Sequence, residues 1–194
     1  MRKLTGIILL MLVVLSFTRL KKEKKSIILT ESKIEWLGRK NVNKKRETTH
    51  NGTLNFNNGY LIFEGTELQG GAFEVDMTSL TVTDFPMNKI LVKILEDHLK
   101  SEDFFEVDKY TISTLVFTEV KKMKHKYNIN ADLTIKEITH EVNFDMEVYS
   151  NSANAKLVVD RLKYDIKFGP KAIFSKVKNK KLDGDFELNV KLHF

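Results

Sequence analysis

Long stretches of this chain alternate apolar and polar residues with period two. Tyr127, Ile129, Ala131, Leu133 and Ile135 fall on one side, against Asn128, Asn130, Asp132 and Thr134. The pattern returns in Val142, Phe144, Met146 and Val148, and again in Phe186, Leu188, Val190, Leu192 and Phe194. Successive side chains of a strand point to opposite faces, so each run has one apolar and one wet face. Many such strands joined by short turns must close on themselves or pack in pairs. The expected class is therefore all-β, an antiparallel barrel of about eight strands.

The pattern breaks once. Ile90, Leu91, Ile94, Leu95 and His98/Leu99 recur at spacings of three and four, which predicts a short helical insertion near 86–99, with Asp84 or Asn88 as its N-cap. Strands are expected at Ile34–Trp36, from His50 to Phe56, at 113–120, 126–136, 140–149, 153–161, 164–168 and 184–194. Asn57-Asn58-Gly59 reads as the strongest turn signal, with Leu61 and Phe63 returning antiparallel. Gln69-Gly70-Gly71 reads as punctuation before Phe73, Val75 and Met77.

The 194 residues suit one domain, and the formal charge is +6. That excess sits in residues 1–25, where Arg2, Lys3, Arg19, Lys21, Lys22, Lys24 and Lys25 face only Glu23. The remainder is balanced, so no basic stripe argues for a nucleic-acid partner. There is no cysteine, hence neither a disulfide nor a thiol-linked lipid anchor. Arg2 and Lys3 precede an apolar run, Gly6 to Leu15. It is shorter than the ~20 residues of a comfortable membrane span. The segment 1–25 reads as a signal peptide, with an uncleaved basic and hydrophobic anchor as the other reading. It is set outside the barrel domain, 26–194. No stable membrane span is expected, and the location would be periplasmic or secreted.

Several segments resemble the YceI-like family of small bacterial proteins. Trp36-Leu37-Gly38-Arg39-Lys40 looks like its W-x-G-x-K, and His50-Asn51-Gly52 like its H-x-G. His98-Leu99-Lys100-Ser101-Glu102-Asp103-Phe104-Phe105 is close to H-L-K-S-x-D-F-F. Val75 to Leu80, Thr83-Asp84, Ala131 to Lys136 with Thr139-His140, Val159-Asp160-Arg161 with Tyr164, and Asp185 to Leu188 complete the likeness. This chain departs from the pattern at Glu137 and Asp165, where relatives carry glycine, at Thr111 in place of proline, and in a lysine-rich stretch at 170–182. The resemblance implies a lipocalin-like barrel, secreted or periplasmic, binding a long apolar chain of the isoprenoid class.

No chemistry competes with that reading. The histidines His50, His98, His125, His140 and His193 show no metal-ligand spacing. Gly70-Gly71 lacks the lysine and helix of a phosphate loop. Asp160-Arg161 reads as a structural brace. Asn51-Gly52-Thr53 matches a glycosylation sequon with little meaning in a bacterial-looking chain. No catalytic residue, metal or cofactor is expected, and the chain is not read as an enzyme.

The expected ligand-binding set is the inward apolar one: Trp36, Phe56, Phe63, Phe73, Val75, Met77, Phe117, Ile129, Leu133, Phe144, Met146, Leu157, Val159, Phe186 and Leu188. An eight-stranded barrel is just wide enough to be packed shut or to hold one slender guest, and sequence leaves both open. Phe104 and Phe105 read as a lid on ligand or, favoured, as a plug in the barrel end. The expected partner is an apolar lipid or isoprenoid; a homodimer stays open. The competing function is an envelope or surface interaction module that uses the barrel as a scaffold, with the lysine-rich stretch as its contact surface.

Overall fold

The computed structural model describes residues 21–43, 46–84, 88–166 and 185–194. The alternating runs become strands: β1 (Lys22–Ser26), β2 (Lys33–Asn43), β3 (Arg46–Glu64), β4 (Glu67–Val82), β5 (Ile112–Lys122), β6 (Tyr127–Ile135), β7 (Ile138–Val148), β8 (Ser152–Asp160) and β9 (Asp185–His193). One helix, α1 (Lys89–Lys100), lies between β4 and β5. The strands form one antiparallel sheet in the order β1-β3-β2-β9-β8-β7-β6-β5-β4, closed by pairing of β3 with β4. The closed cylinder has eight strands, β2 to β9. β1 lies along the half of β3 that β2 leaves free, with Lys22 opposite Glu64 and Ser26 opposite Tyr60.

Residues 22–25, set outside the barrel on sequence, thus belong to a strand. Pairing with β3 and contacts with its rings are the reason. Lys24 Nζ lies 3.5 Å from the centre of the Tyr60 ring, and Lys25 Nζ lies 5.1 Å from that of Phe63. A lysine ammonium over the face of an aromatic ring is attracted by the ring's quadrupole.

Asn57-Asn58-Gly59 is not a turn. β3 runs through it with a register shift between Phe56 and Asn58. Gly59 is there for clearance: a Cβ on it would lie 2.5 Å from the Phe73 ring and 2.9 Å from Ile27. The turn falls instead at Gly65-Thr66, where Gly65 has φ 62°. Gly70 and Gly71 likewise sit inside β4. A Cβ on Gly71 would lie 3.0 Å from both Leu61 and Phe117. The expected strand at 164–168 begins instead as the last residue of a 3-10 turn, Arg161–Tyr164; residues 167 and 168 lie outside the described residues.

α1 begins where expected. Asn88 caps it, its side chain accepting from Leu91 N at 3.1 Å. Asp84, the other candidate, binds His50 Nδ1 at 2.7 Å instead. Glu96 accepts from Val82 N at 2.8 Å, and Lys100 donates to Thr78 O at 2.9 Å. These bonds fix α1 beside the end of β4.

Candidate functional site: the barrel lumen

Inward residues of all the closing strands meet in one apolar core. Leu61, Ile129, Ala131, Ala153 and Ile166 are fully buried. Four phenylalanines from four strands cross the lumen as a ladder: Phe56 to Phe73 at 5.9 Å, Phe73 to Phe117 at 5.8 Å and Phe117 to Phe144 at 5.9 Å between ring centres. Tilted and edge-to-face rings at such distances attract one another beyond the effect of burial.

Beside the ladder lies a cavity of about 60 Å³. Its wall includes Phe56, Phe73, Val75, Leu133, Phe144, Met146, Leu157 and Leu188, all expected from sequence. It also includes Ile34, Leu115, Ala155, Val190, Leu192, Ser113 and Thr114, which the expected set omits. Ile34, Leu115, Val190 and Leu192 share the alternation of their strands, and that signal would have found them. Ala155 had only its parity with Leu157. Ser113 is buried on the inward parity of β5, and Thr114 follows it.

The other expected residues lie elsewhere. Phe63 packs on Phe194 at 5.5 Å, with Lys25 Nζ near both rings. Ile129 and Val159 are buried in packed layers off the cavity wall, as is Met77. Phe117 is a rung of the ladder and not part of the wall. Trp36 is half-buried, its Nε1 donating to Thr81 O at 3.1 Å, which stitches β2 to β4 across β3. Phe186 meets Phe105 at 6.3 Å.

Phe104 and Phe105 touch at 4.9 Å, edge to face, and both are buried. They follow α1 directly. Phe105 N donates to Leu99 O at 3.2 Å, and Lys136 Nζ donates to Phe104 O at 3.2 Å. They plug the α1 end of the barrel, away from the cavity wall.

The β7–β8 seam is short. Pairing runs only from Asp145–Lys156 to Val148–Ala153, though β7 starts at Ile138 and β8 ends at Asp160. Tyr164 stands against His140 of β7, edge to face at 5.4 Å, and His140 Nε2 lies 3.0 Å from Lys163 O. Tyr164 is 1% exposed, and its hydroxyl has no hydrogen-bond partner among the described residues. Burial, with the nearby Asp160 carboxylate adding to it, pushes the phenol up to about 12. Asp160 and Arg161 act locally. Asp160 accepts from Leu162 N at 3.0 Å, and Arg161 donates to Ile166 O at 2.7 Å.

Among the described residues no group of three or more histidines or acids is placed to hold a metal. No helix among them is long and apolar enough to cross a membrane. What the site offers is an oily recess walled by rings and branched chains, able to take apolar groups by burial alone.

The class defined by this geometry is a closed antiparallel β-barrel with an apolar lumen. The chain belongs to the YceI-like domain family, whose profile matches residues 26–194. The solved structure of BcnA from Burkholderia cenocepacia is similar, with a TM-score of 0.65 at 20% identity, covering 86% of this chain and 98% of that one. A mutant YceI protein of Campylobacter jejuni gives a TM-score of 0.51 at 13% identity, covering 100% of this chain and 98% of that one. At those identities the likeness shows the fold. The UPF0312 protein plu2095 of Photorhabdus laumondii subsp. laumondii is 38% identical over 53 residues, which is 27% of this chain and 28% of that protein.

Proposed function

We propose that the barrel binds an uncharged apolar chain of isoprenoid type in its lumen, in a periplasmic or secreted setting, and performs no catalysis on it. The observation that carries this reading is the cavity beside the phenylalanine ladder, whose wall is almost wholly hydrocarbon. Family membership supports it, as does the cavity wall, which among the described residues holds no charged side chain.

The volume constrains how such a guest enters. About 60 Å³ takes a short apolar group and not a chain threaded through the barrel. A longer guest requires Phe56, Phe73, Phe144 or Met146 to turn aside. Each methylene removed from water returns ~0.8 kcal/mol, against the cost of disturbing packed rings. Met146, unbranched and polarizable, is suited to such a move.

Mass spectrometry of organic extracts from natively purified protein tests the reading. Recovered prenyl or other long apolar chains, together with uptake of a polarity-sensitive apolar dye that such chains displace, are the expected result. Empty extracts with no dye uptake would overturn it. N-terminal sequencing of the protein from a periplasmic or culture-fluid fraction tests the location.

A scaffold for surface interaction is the second reading, favoured by how much of the lumen the protein's own side chains fill. The lysine-rich stretch 170–182 lies outside the described residues. Charge reversal of Lys176, Lys178 and Lys180 should then abolish binding to an acidic envelope polymer and leave lipid loading unchanged.

A further inference from the structure

The apolar arc of α1 is wider than the barrel can cover. Val92, Leu95 and Leu99 pack inward on the core. Ile90, Leu91 and Ile94 do not: they are 73%, 45% and 59% exposed. Single exposed apolar side chains are ordinary. These three adjoin, because residues three and four apart on a helix are neighbours, and so make one continuous strip.

Cations edge the strip. Lys89 is exposed at its start, and Lys93 is exposed beside it, 3.0 Å from Asp97. Asp84, just upstream of the helix, is tied to His50 at 2.7 Å. Of the acids on α1, Glu96 accepts from Val82 N and Asp97 pairs with Lys93; Glu102, Asp103, Glu106 and Asp108 follow the other end of the helix. The 12-residue helix puts them about 18 Å from Lys89.

An apolar strip bordered by lysines on a surface helix matches the boundary between acyl chains and anionic head groups. We propose that α1 docks this end of the barrel on an anionic phospholipid surface, with Ile90, Leu91 and Ile94 among the acyl chains and Lys89 and Lys93 at the phosphates. Its purpose rests on the carrier reading above: α1 runs straight into the Phe104–Phe105 plug, so docking would bring the plugged end to the phase where an apolar guest resides. The docking itself is tested separately.

The chain has no cysteine, so a single one can be labelled in the full-length protein. Ile94→Cys reports on the strip; Lys124→Cys, at the exposed β5–β6 turn on the opposite end, is the control. Because the apolar run 6–15 can itself hold the chain to a vesicle, the readout is the label and not bulk binding. With phosphatidylglycerol–phosphatidylethanolamine vesicles, an environment-sensitive label at 94 should shift to the blue and be quenched by spin-labelled lipid. High salt or pure phosphatidylcholine should abolish the shift, and the label at 124 should stay in water. Adding Ile90→Ser and Leu91→Ser should remove the shift with an unchanged circular dichroism spectrum.

The proposal is overturned if the label at 94 stays in water, or if both positions report alike. A shift that grows with protein concentration without vesicles would overturn it in favour of a second copy on the strip. Empty organic extracts alongside a positive result at 94 would remove the carrier reading and leave the docking.

Discussion

Trp36 and Gly52 face one another across β2 and β3, and the indole occupies the space a side chain at 52 would need. A Cβ on Gly52 would lie 2.7 Å from the Trp36 ring and 1.7 Å from Thr81 O. The glycine is what lets β4 and the indole close on the same point of β3, where Trp36 Nε1 binds Thr81 O.

Gly52→Ala should therefore destabilise the protein by ~3 kcal/mol or more, at or above the usual range for overpacking, because one of the atoms met is backbone. Denaturant unfolding of the two proteins measures it. A loss below ~1 kcal/mol would mean that the strands part easily at this point.

Lys136 and Glu137 form the two-residue turn between β6 and β7, with φ 53° and 61°. Such turns need positive φ at both positions, a conformation glycine adopts freely and other residues do not. Glu137→Gly should raise stability by ~1 kcal/mol while keeping the Lys136 bond to Phe104 O. Asp165, also at φ 53°, should respond in the same direction. Thermal unfolding of the single and double variants checks both.

Tyr164→Phe removes a buried hydroxyl that has no partner among the described residues. At neutral pH the change should be neutral or stabilising by up to ~2 kcal/mol. The phenol ionises near 10 in an unfolded chain and only at about 12 here. Its contribution is thus complete below pH 10. As pH rises from 10 to 12 the unfolded chain releases this proton and the folded one keeps it, so stability falls, by about 2–3 kcal/mol in all. Tyr164→Phe should lack that component, so its advantage over the parent should widen across this range. Urea unfolding at pH 8, 10 and 11 gives the comparison; an equal difference throughout would refute it.

Ala155→Val places two methyl groups at the cavity wall, opposite Met146 and Val190 in register. Stability should change by less than ~1.5 kcal/mol, since the space is present. Dye uptake and extracted lipid should fall severalfold. Phe144→Ala should do the reverse, costing ~3–5 kcal/mol and enlarging the recess. If both leave uptake unchanged, the ligand sits outside the lumen.

Much of this was legible in the chain. Period two placed the strands from β5 to β9, and period 3.6 placed α1, with Asp84 or Asn88 at its start, because both patterns are set by which face each residue must bury. The same alternation put Phe56, Phe73, Phe144 and Met146 inside. It could not rank them by depth. Parity names a face, whereas a place on the cavity wall depends on strand stagger and on how far each ring reaches. Phe63 and Phe186 thus turned inward at the two ends, and Ala155 reached the cavity.

The local sequence at Asn57-Asn58-Gly59 reads as a turn, yet it lies inside β3. Only the ring of Phe73 and the side chain of Ile27, brought there by β4 and the chain after β1, decided what Gly59 was for. Residues 22–25 likewise read as the end of a signal peptide or basic anchor until β3, with Tyr60 and Phe63, offered them an edge and rings to pair with. The pattern of side chains fixes each segment's faces, since it is written in neighbouring residues. Clearance and coverage depend on atoms distant in the chain, and so are decided only when the barrel closes.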